Sequence, residues 1–259
     1  HENVSLPVSL SASAPYLSIV VPVFNESESL APFFERITPV LKSTGLKYEI
    51  VCVNDGSRDS TYSQLCQMRA DYPSIKVVDL SRNFGKEPAL TAGLELCSGD
   101  IVIPMDVDLQ DPPELIPEMI AKWQEGFDVV LAIRSDRSTD SFMKRFTANG
   151  FYKLFSRVSD VDLPDNAGDF RLMDRRVVDA LKLLPERTRF MKGLFAWLGF
   201  KTTQLSFKRE ERFVGEGKWG SWKLWNFALD GIFSFSTTPL RIWTYLGFSL
   251  SALSAIYLL

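Results

Sequence analysis

The sequence has very little histidine: one residue in 259, at position 1. Catalytic Ser-His-Asp or Cys-His arrangements and a histidine-based metal site within the fold are therefore excluded. Its three cysteines, Cys52, Cys66 and Cys97, are far apart and odd in number. They match neither a zinc pattern nor a disulfide framework, which favours a reducing compartment. Any acid–base or metal chemistry must come from carboxylates, amides, lysine and arginine.

Neither of two common phosphate-binding signatures stands where its fold would need it. No Gly-x-Gly-x-x-Gly follows the first predicted strand, and no Gly-x-x-x-x-Gly-Lys-Ser/Thr occurs anywhere in the chain. These absences argue against a Rossmann dinucleotide site and against a P-loop NTPase. If the ligand carries phosphate, a metal ion together with lysine and arginine must bind it instead.

The net charge of −3 is unevenly distributed along the chain. Residues 1–133 carry 9 basic and 19 acidic side chains, whereas residues 134–223 carry 19 basic and 12 acidic ones. The remainder contains one charge of each sign, Asp230 and Arg241. An acidic first half, a basic middle and an almost uncharged end indicate three different roles.

The uncharged end predicts a membrane segment. Residues 242–259 contain no charged side chain, and a transmembrane helix needs about 20 apolar residues. Trp243 and Tyr245 lie where an aromatic belt would form. We expect residues 241–259 to begin a transmembrane region that the chain truncates; a buried core helix is the alternative. Residues 1–15 are polar, lack the features of a signal peptide and are predicted to be a disordered lead. We therefore expect the globular part on the cytoplasmic side of the cell membrane, with the basic region beside the lipid.

Short apolar runs alternate with helical patterns over the first half of the chain. Strands are predicted over residues 17–24, 49–53, 75–80, 101–105 and 127–133, and helices over residues 29–43, 60–70, 87–97 and 112–124. Buried strands separated by helices indicate a parallel sheet, in which ligands bind beyond the carboxyl ends of the strands. Two amphipathic helices, near 140–158 and over 221–238, are predicted to lie in a membrane interface, with packing on the domain's own core as the alternative.

Four of the predicted strands end in polar residues, at positions 22–26, 54–59, 81–86 and 106–111. Any one of these segments could be an ordinary turn, but together they define a site at one edge of the sheet. Asp106 and Asp108 are separated by one residue, just past a strand, and can share a divalent cation. Gln110 can add a neutral oxygen ligand. Oxygen ligands without histidine suit Mg²⁺ or Mn²⁺.

These four segments closely resemble the motifs of family 2 glycosyltransferases with the GT-A fold. More narrowly, they resemble the enzymes that act on polyprenyl phosphates, namely bacterial bactoprenol glucosyltransferases and dolichyl-phosphate mannosyltransferases. The later stretches NAGDFRLMDR and KWGSWKLWNFALDGIFSFS look most like the bactoprenol type. The resemblance implies an α/β GT-A domain over residues 16–220, with a mainly parallel Rossmann-like sheet flanked by helices. Interfacial helices and a C-terminal transmembrane segment would follow it.

The resemblance also implies roles for individual residues. The nucleoside of a UDP-sugar would be held by Pro22, Phe24, Glu26, Val53 and Asp55, with Lys86 completing the donor site. Asp106 and Val107 would contact the sugar and ribose, and the metal would be held by Asp106, Asp108 and Gln110. The phosphates of donor or acceptor would meet Arg134, Arg171, Arg212 and Lys218. Asp169 matches the family's catalytic carboxylate and would act with Asp106; the alternative is a loop carboxylate paired with Arg171.

The implied reaction is the inverting transfer of a hexose, most simply glucose from UDP-glucose, onto undecaprenyl phosphate. A phosphate monoester has a second pKa near ~6 and is mostly dianionic at neutral pH, so such a nucleophile needs no strong base. Asp169 would then orient groups rather than remove a proton, and the lack of histidine is explained. The alternatives are a mannosyltransferase that uses GDP-mannose and a non-catalytic membrane scaffold. A processive synthase is disfavoured because no Gln-x-x-Arg-Trp occurs. We expect a homo-oligomer and no nucleic-acid partner.

Overall fold

The computed structural model describes residues 16–135, 167–184, 194, 198–207 and 238–258. The predicted lead over residues 1–15 and the predicted helix near 140–158 lie outside the described residues. So does the predicted helix over 221–238, apart from its last residue.

All five predicted strands are present, with ends within a few residues of the predicted ones. They are β1 Tyr16–Val23, β2 Lys47–Asn54, β3 Ile75–Asp79, β4 Ile101–Pro104 and β5 Val129–Arg134. Two further strands, β6 Ala167–Asp174 and β7 Thr202–Phe207, were not predicted. All seven form one sheet in the order β3-β2-β1-β4-β6-β5-β7.

The sheet is mainly parallel, as predicted, and β6 is the strand that runs in the opposite direction. It pairs antiparallel with β4 and with β5, whereas the other neighbouring strands pair parallel. Ile101 at the start of β4 lies opposite Asp174 at the end of β6. The beginning of β6, which contains Gly168 and Asp169, therefore lies at the edge where the parallel strands end.

Helices cover both faces of the sheet, namely α1 Leu30–Ser43, α2 Thr61–Met68, α3 Lys86–Leu96, α4 Ile116–Gln124 and α5 Arg175–Lys182. A 3₁₀ turn over Pro113–Leu115 precedes α4. A further helix, α6 Thr238–Leu258, contributes no described residue to the two cores. One core lies beneath α1, α2 and α4 and includes Phe33 and Phe34. The other lies beneath α3 and α5 and includes Leu90 and Val177. This three-layer arrangement explains why the central strands are buried along almost their whole length.

Helix α6 carries many large apolar side chains on its surface, among them Trp243, Phe248 and Ile256. Within the described part of the chain, no helix reaches the combined length and apolar character needed to cross a bilayer. The transmembrane region predicted over residues 241–259 is therefore not confirmed.

A buried carboxylate joins several elements at the end of the sheet where the parallel strands begin, opposite to the end that carries the polar segments. Oε1 of Glu49, near the start of β2, accepts hydrogen bonds from Ser18 Oγ (2.6 Å), Ser98 N (2.7 Å) and Ser98 Oγ (3.0 Å), and Oε2 pairs with Lys76. Burial alone would raise the pKa of Glu49. The hydrogen bonds from Lys76, Ser18 and Ser98 outweigh it and hold the pKa below the ordinary value.

Replacing Glu49 by glutamine tests this network. At pH 7 we expect Glu49→Gln to lower the free energy of unfolding by about 2–3 kcal/mol, because an ion pair and charge-assisted hydrogen bonds are lost. A carboxylate with a lowered folded-state pKa stabilises the fold above its unfolded pKa of about 4.3, and this stability is lost as the pH falls through the folded value. Urea titrations should therefore show the gap between variant and wild type closing below pH ~4.

Glu125→Gln is the matched control, because Glu125 pairs with Lys122 in an exposed i,i+3 ion pair. It should change the free energy of unfolding by less than about 0.5 kcal/mol. A Glu49→Gln gap that stays as large below pH ~4 as it is at pH 7 would show that the ionised carboxylate is not the source of the stability.

Candidate active site

The segments that follow β1 and β2 are joined by hydrogen bonds. The backbone N–H of Asn25 donates to Ser57 Oγ (2.9 Å), and Asn25 Oδ1 accepts from the N–H of Arg58 (2.8 Å). The N–H of Glu26 donates to Thr61 Oγ1 (2.9 Å). Asn25 has a φ of 51°, a left-handed conformation that asparagine tolerates better than most residues. The polar segments after β1 and β2 are therefore joined to each other by hydrogen bonds at the carboxyl ends of these strands.

Asp55, at the end of β2, holds the segment between β3 and α3. Its two carboxylate oxygens accept from the backbone N–H groups of Phe84 (2.7 Å) and Gly85 (2.9 Å). Gly56 has a φ of +64°, and an added Cβ would lie 2.4 Å from the carbonyl carbon of Arg82, so the two segments touch through their backbones. Only glycine combines this conformation with so close an approach.

Lys86, the first residue of α3, joins two carboxylates from different strands. Its Nζ lies 2.7 Å and 2.8 Å from the two oxygens of Asp106, which follows β4, and 2.7 Å from Oδ2 of Asp169 in β6. Burial would lower the pKa of Lys86, but the two carboxylates outweigh it and raise the pKa above the ordinary value. The ammonium group therefore stays charged at neutral pH.

Arg171 supplies a second positive charge beneath Asp169. It is 3% exposed, and its Nη2 donates to the carbonyl of Gly168 (2.6 Å). Burial lowers the pKa of Arg171 to about 10, against the opposing effects of Asp169 and Glu87, so the guanidinium is still protonated at pH 7. Asp169 lies in a strand and forms an ion pair with Lys86. The catalytic role of Asp169 and its pairing with Arg171 both stay predictions.

The segment after β4 is shaped by a buried leucine. Leu109 has a φ of 57° and is buried in the core between two polar neighbours. A non-glycine residue in this conformation costs about 1–2 kcal/mol, which the burial of its side chain offsets. The N–H of Gln110 donates to Oδ1 of Asp108 (3.2 Å), closing a short turn. The strained turn fixes the backbone on which Asp106, Asp108 and Gln110 stand.

The donor chemistry of this segment fits a hard divalent cation, because the groups at Asp106, Asp108 and Gln110 are all oxygens. Both oxygens of Asp106 already bind a cation, the Lys86 ammonium. Among the residues that the structure describes, no group of three or more His, Cys, Asp or Glu residues could hold a metal ion. That finding does not cover a set of two aspartates and one glutamine, so Asp106, Asp108 and Gln110 as metal ligands stay a prediction.

The other predicted site residues differ in accessibility. Pro22, Phe24 and Glu26 are half-buried at the end of β1. Val53 is fully buried, and its side chain packs against Gly93 of α3. Val107 is also buried. The predictions for the side chain of Arg134, and for Arg212 and Lys218, lie outside the described residues.

Two features at and just before the start of α3 were not predicted. Glu87 acts electrostatically on Arg171, and the backbone N–H groups of Phe84 and Gly85 bind Asp55. The signal for the second was present in the sequence, because Gly85 directly precedes a helix that begins with the candidate site residue Lys86. Glycine at such a position permits a positive φ, here 102°.

A mainly parallel sheet with these carboxylates beyond its carboxyl end is the GT-A architecture of glycosyltransferases. The chain belongs to glycosyl transferase family 2, whose family model matches residues 18–182. That stretch includes every described site residue named above.

The chain is similar to curated proteins along most of its length. It is 56% identical, over 93% of this chain and 76% of the other, to an uncharacterised glycosyltransferase of Synechocystis. It is 52% identical, over 93% of this chain and 78% of the other, to the bactoprenol glucosyl transferase of Shigella phage SfV. Glucosyl-3-phosphoglycerate synthase from Mycobacterium tuberculosis, solved in complex with Mn²⁺, UDP and phosphoglyceric acid, has the same fold at 18% identity. Its TM-score is 0.53, over 83% of this chain and 75% of that one.

The ion pairs of Lys86 generate a stability prediction. Lys86→Met leaves Asp106 and Asp169 to repel each other, so we expect the free energy of unfolding to fall by about 2 kcal/mol. Adding Asp169→Asn should restore part of that loss, because one of the two repelling charges is removed. Urea unfolding measures both changes. Lys122→Met, which breaks an exposed pair, is the control and should cost less than about 0.5 kcal/mol. If Lys86→Met lowers the free energy of unfolding no more than Lys122→Met does, the proposed charge balance is wrong.

Proposed function

We propose that this chain transfers a hexose, glucose from UDP-glucose, onto a polyprenyl phosphate. The observation that carries the proposal is the extent of the similarity to bactoprenol glucosyl transferases, which spans 93% of the chain. The matched region contains the Lys86–Asp106–Asp169 group at the sheet edge where α/β folds bind ligands. A nucleotide-sugar donor and a lipid phosphate acceptor account for both observations.

The donor would lie across the ends of β1 and β4. Half-buried Phe24 offers a ring face for the nucleobase, and Asp106 and Val107 would contact the sugar and ribose. The M. tuberculosis synthase of the same fold was solved with Mn²⁺ and UDP, which supports a divalent cation here. Asp106, Asp108 and Gln110 would hold Mg²⁺ or Mn²⁺. When bound, the ion would neutralise charge on the leaving diphosphate.

The chain's own residues must bring together two anions, the diphosphate of the donor and the phosphate of the acceptor. Lys86 and Arg171 supply fixed positive charges at the site, and the basic region over residues 134–223 supplies more. An acceptor phosphate oxygen would form the new bond to the anomeric carbon while the bond to UDP breaks, so the configuration at that carbon inverts. Asp169, held by Lys86, would orient the reacting groups, because a dianionic acceptor needs no base.

We propose that the reaction takes place at the cytoplasmic face of the cell membrane. The polyprenyl tail of the acceptor is embedded in lipid, so the site must approach a membrane surface. The basic middle region would favour anionic lipid, and the apolar side chains exposed on α6 would favour lipid contact. Association into a homo-oligomer is part of the same proposal.

A transfer assay tests this function. We expect radiolabel to move from UDP-[¹⁴C]glucose to undecaprenyl phosphate in detergent or vesicles, only when Mg²⁺ or Mn²⁺ is present. Asp108→Ala should lower the rate by at least about 100-fold, because a predicted metal ligand is removed. Asp100→Asn is the matched control: its carboxylate, which accepts from the N–H of Tyr16 (2.9 Å), follows α3 and precedes β4, away from the polar segments. It should keep near wild-type turnover.

The outcomes separate the candidate functions. Transfer from GDP-mannose but not from UDP-glucose would favour the mannosyltransferase alternative. No transfer from any UDP- or GDP-hexose, together with no metal-dependent UDP binding in calorimetry, would favour a non-catalytic scaffold. Full activity of Asp108→Ala would contradict the assignment of Asp108 as a metal ligand, but not the proposed transfer reaction.

A further inference from the structure

Asn25 stands between Phe24 and Glu26, two residues that are predicted to hold the nucleoside, but its own contacts are with the protein. Its backbone N–H donates to Ser57 Oγ (2.9 Å), and its side-chain Oδ1 accepts from the N–H of Arg58 (2.8 Å). Both partners follow β2, whereas Asn25 follows β1. One residue therefore joins the two segments twice, once through its backbone and once through its side chain.

The conformation of Asn25 restricts which residues can make both contacts. Its φ of 51° lies in the left-handed region, which asparagine and aspartate tolerate better than most other residues. Glycine adopts this conformation readily but has no side-chain acceptor for the N–H of Arg58. Asparagine thus supplies both the turn and the hydrogen-bond acceptor, and substitution can separate these two contributions.

The link made by Asn25 lies just beyond the backbone ladder of β1 and β2. The two strands pair in parallel up to Val23 and Asn54, and the N–H of Asp55 then donates to the carbonyl of Val23 (2.9 Å). Phe24 comes between that bond and the contacts of Asn25. The backbone that carries the Phe24 ring is therefore fixed relative to the end of β2 on both sides.

We propose that Asn25 is a positioning residue, which sets the separation of the segments after β1 and β2 that carry Phe24 and Asp55. The inference rests on the proposed function, in which these two residues hold the nucleoside of the donor. Without the Asn25 acceptor, one segment is freer to shift relative to the other. The nucleoside is then bound less tightly, because part of the binding energy is spent on ordering the two segments.

Three substitutions of Asn25 separate positioning from the alternatives. Asn25→Asp keeps the acceptor and the left-handed conformation, Asn25→Gly keeps only the conformation, and Asn25→Ala keeps neither. If Asn25 serves only to form the turn, Asn25→Gly behaves like the wild type. If the Asn25 amide contacts the donor directly, Asn25→Asp loses affinity as Asn25→Gly does, since both lack the amide N–H₂.

We expect Asn25→Gly to raise the Kd for UDP about 5- to 10-fold in calorimetry with Mn²⁺, and Asn25→Asp to stay within about twofold of the wild type. Asn25→Ala should bind UDP at least as weakly as Asn25→Gly. In the transfer assay, the loss should appear in the KM for UDP-glucose with kcat within about twofold, because the nucleoside is remote from the bond that breaks.

Three results would overturn the proposal. They are wild-type affinity in Asn25→Gly, equal losses of affinity in Asn25→Gly and Asn25→Asp, and a loss confined to kcat.

Thr44→Gly is the matched control. Thr44 lies between α1 and β2, at the end of the sheet opposite to the polar segments, and its Oγ1 accepts from the N–H of Leu46 (3.2 Å). This substitution therefore also removes a side-chain acceptor from a backbone N–H in a turn. It should leave the Kd for UDP and the KM for UDP-glucose within about twofold of the wild type. A loss as large as that of Asn25→Gly would overturn a specific role for Asn25.

Amide hydrogen exchange, followed by NMR, tests the link in the donor-free protein. The N–H of Arg58 should exchange at least about fivefold faster in Asn25→Gly than in the wild type, and should stay protected in Asn25→Asp. Unchanged exchange in Asn25→Gly would overturn the positioning role. A wild type that neither binds UDP nor transfers sugar would instead contradict the proposed function, whatever the exchange rates show.

Ser57→Ala provides a second variant if Asn25→Gly does not fold. It removes the Oγ that accepts from the N–H of Asn25 and leaves the turn residue itself in place. It should raise the Kd for UDP by more than about twofold, and a smaller change would overturn the positioning role.

Discussion

The contact of one ammonium group with two carboxylates determines how the site is assembled. Lys86 begins α3, Asp106 follows β4, and Asp169 lies near the start of β6. These elements are distant in sequence and meet only because β6 runs against its neighbours. Without Lys86, two negative charges would face each other at a partly buried edge, where their repulsion is weakly screened. The Lys86 contacts therefore require three features together: the antiparallel direction of β6, the start of α3 at Lys86 and the end of β4 just before Asp106.

The same charge balance has a chemical use if the proposed reaction is correct. Both reactants are anions, and a site that is already acidic would repel them without fixed positive groups. Lys86 and the buried Arg171 provide those charges on regular elements rather than on long loops, so their positions are well defined. The ion pair of Glu49 and Lys76 lies at the other end of the parallel strands. There a charged pair joins two strands, and we assign it a structural role only.

Much of the first half of the fold could be predicted from the sequence because its strands are continuous apolar runs between helical patterns. Strand β6 could not, since its sequence AGDFRLMD contains glycine, two aspartates and a buried arginine. Strand β7 could not because four of the six residues of TTQLSF are polar. Asp169 was singled out by family resemblance, and its place beside Lys86 depends on the unpredicted direction of β6. The contacts of Asp55 were unpredictable for another reason: its partners are backbone N–H groups, which leave no pattern of side chains.

The most direct test of the account is a crystal structure with UDP-glucose and Mn²⁺, in which anomalous scattering locates the ion. We predict an anomalous peak beside Asp106, Asp108 and Gln110, with the diphosphate within reach of Lys86. A nucleotide bound away from this edge of the sheet would contradict the central claim.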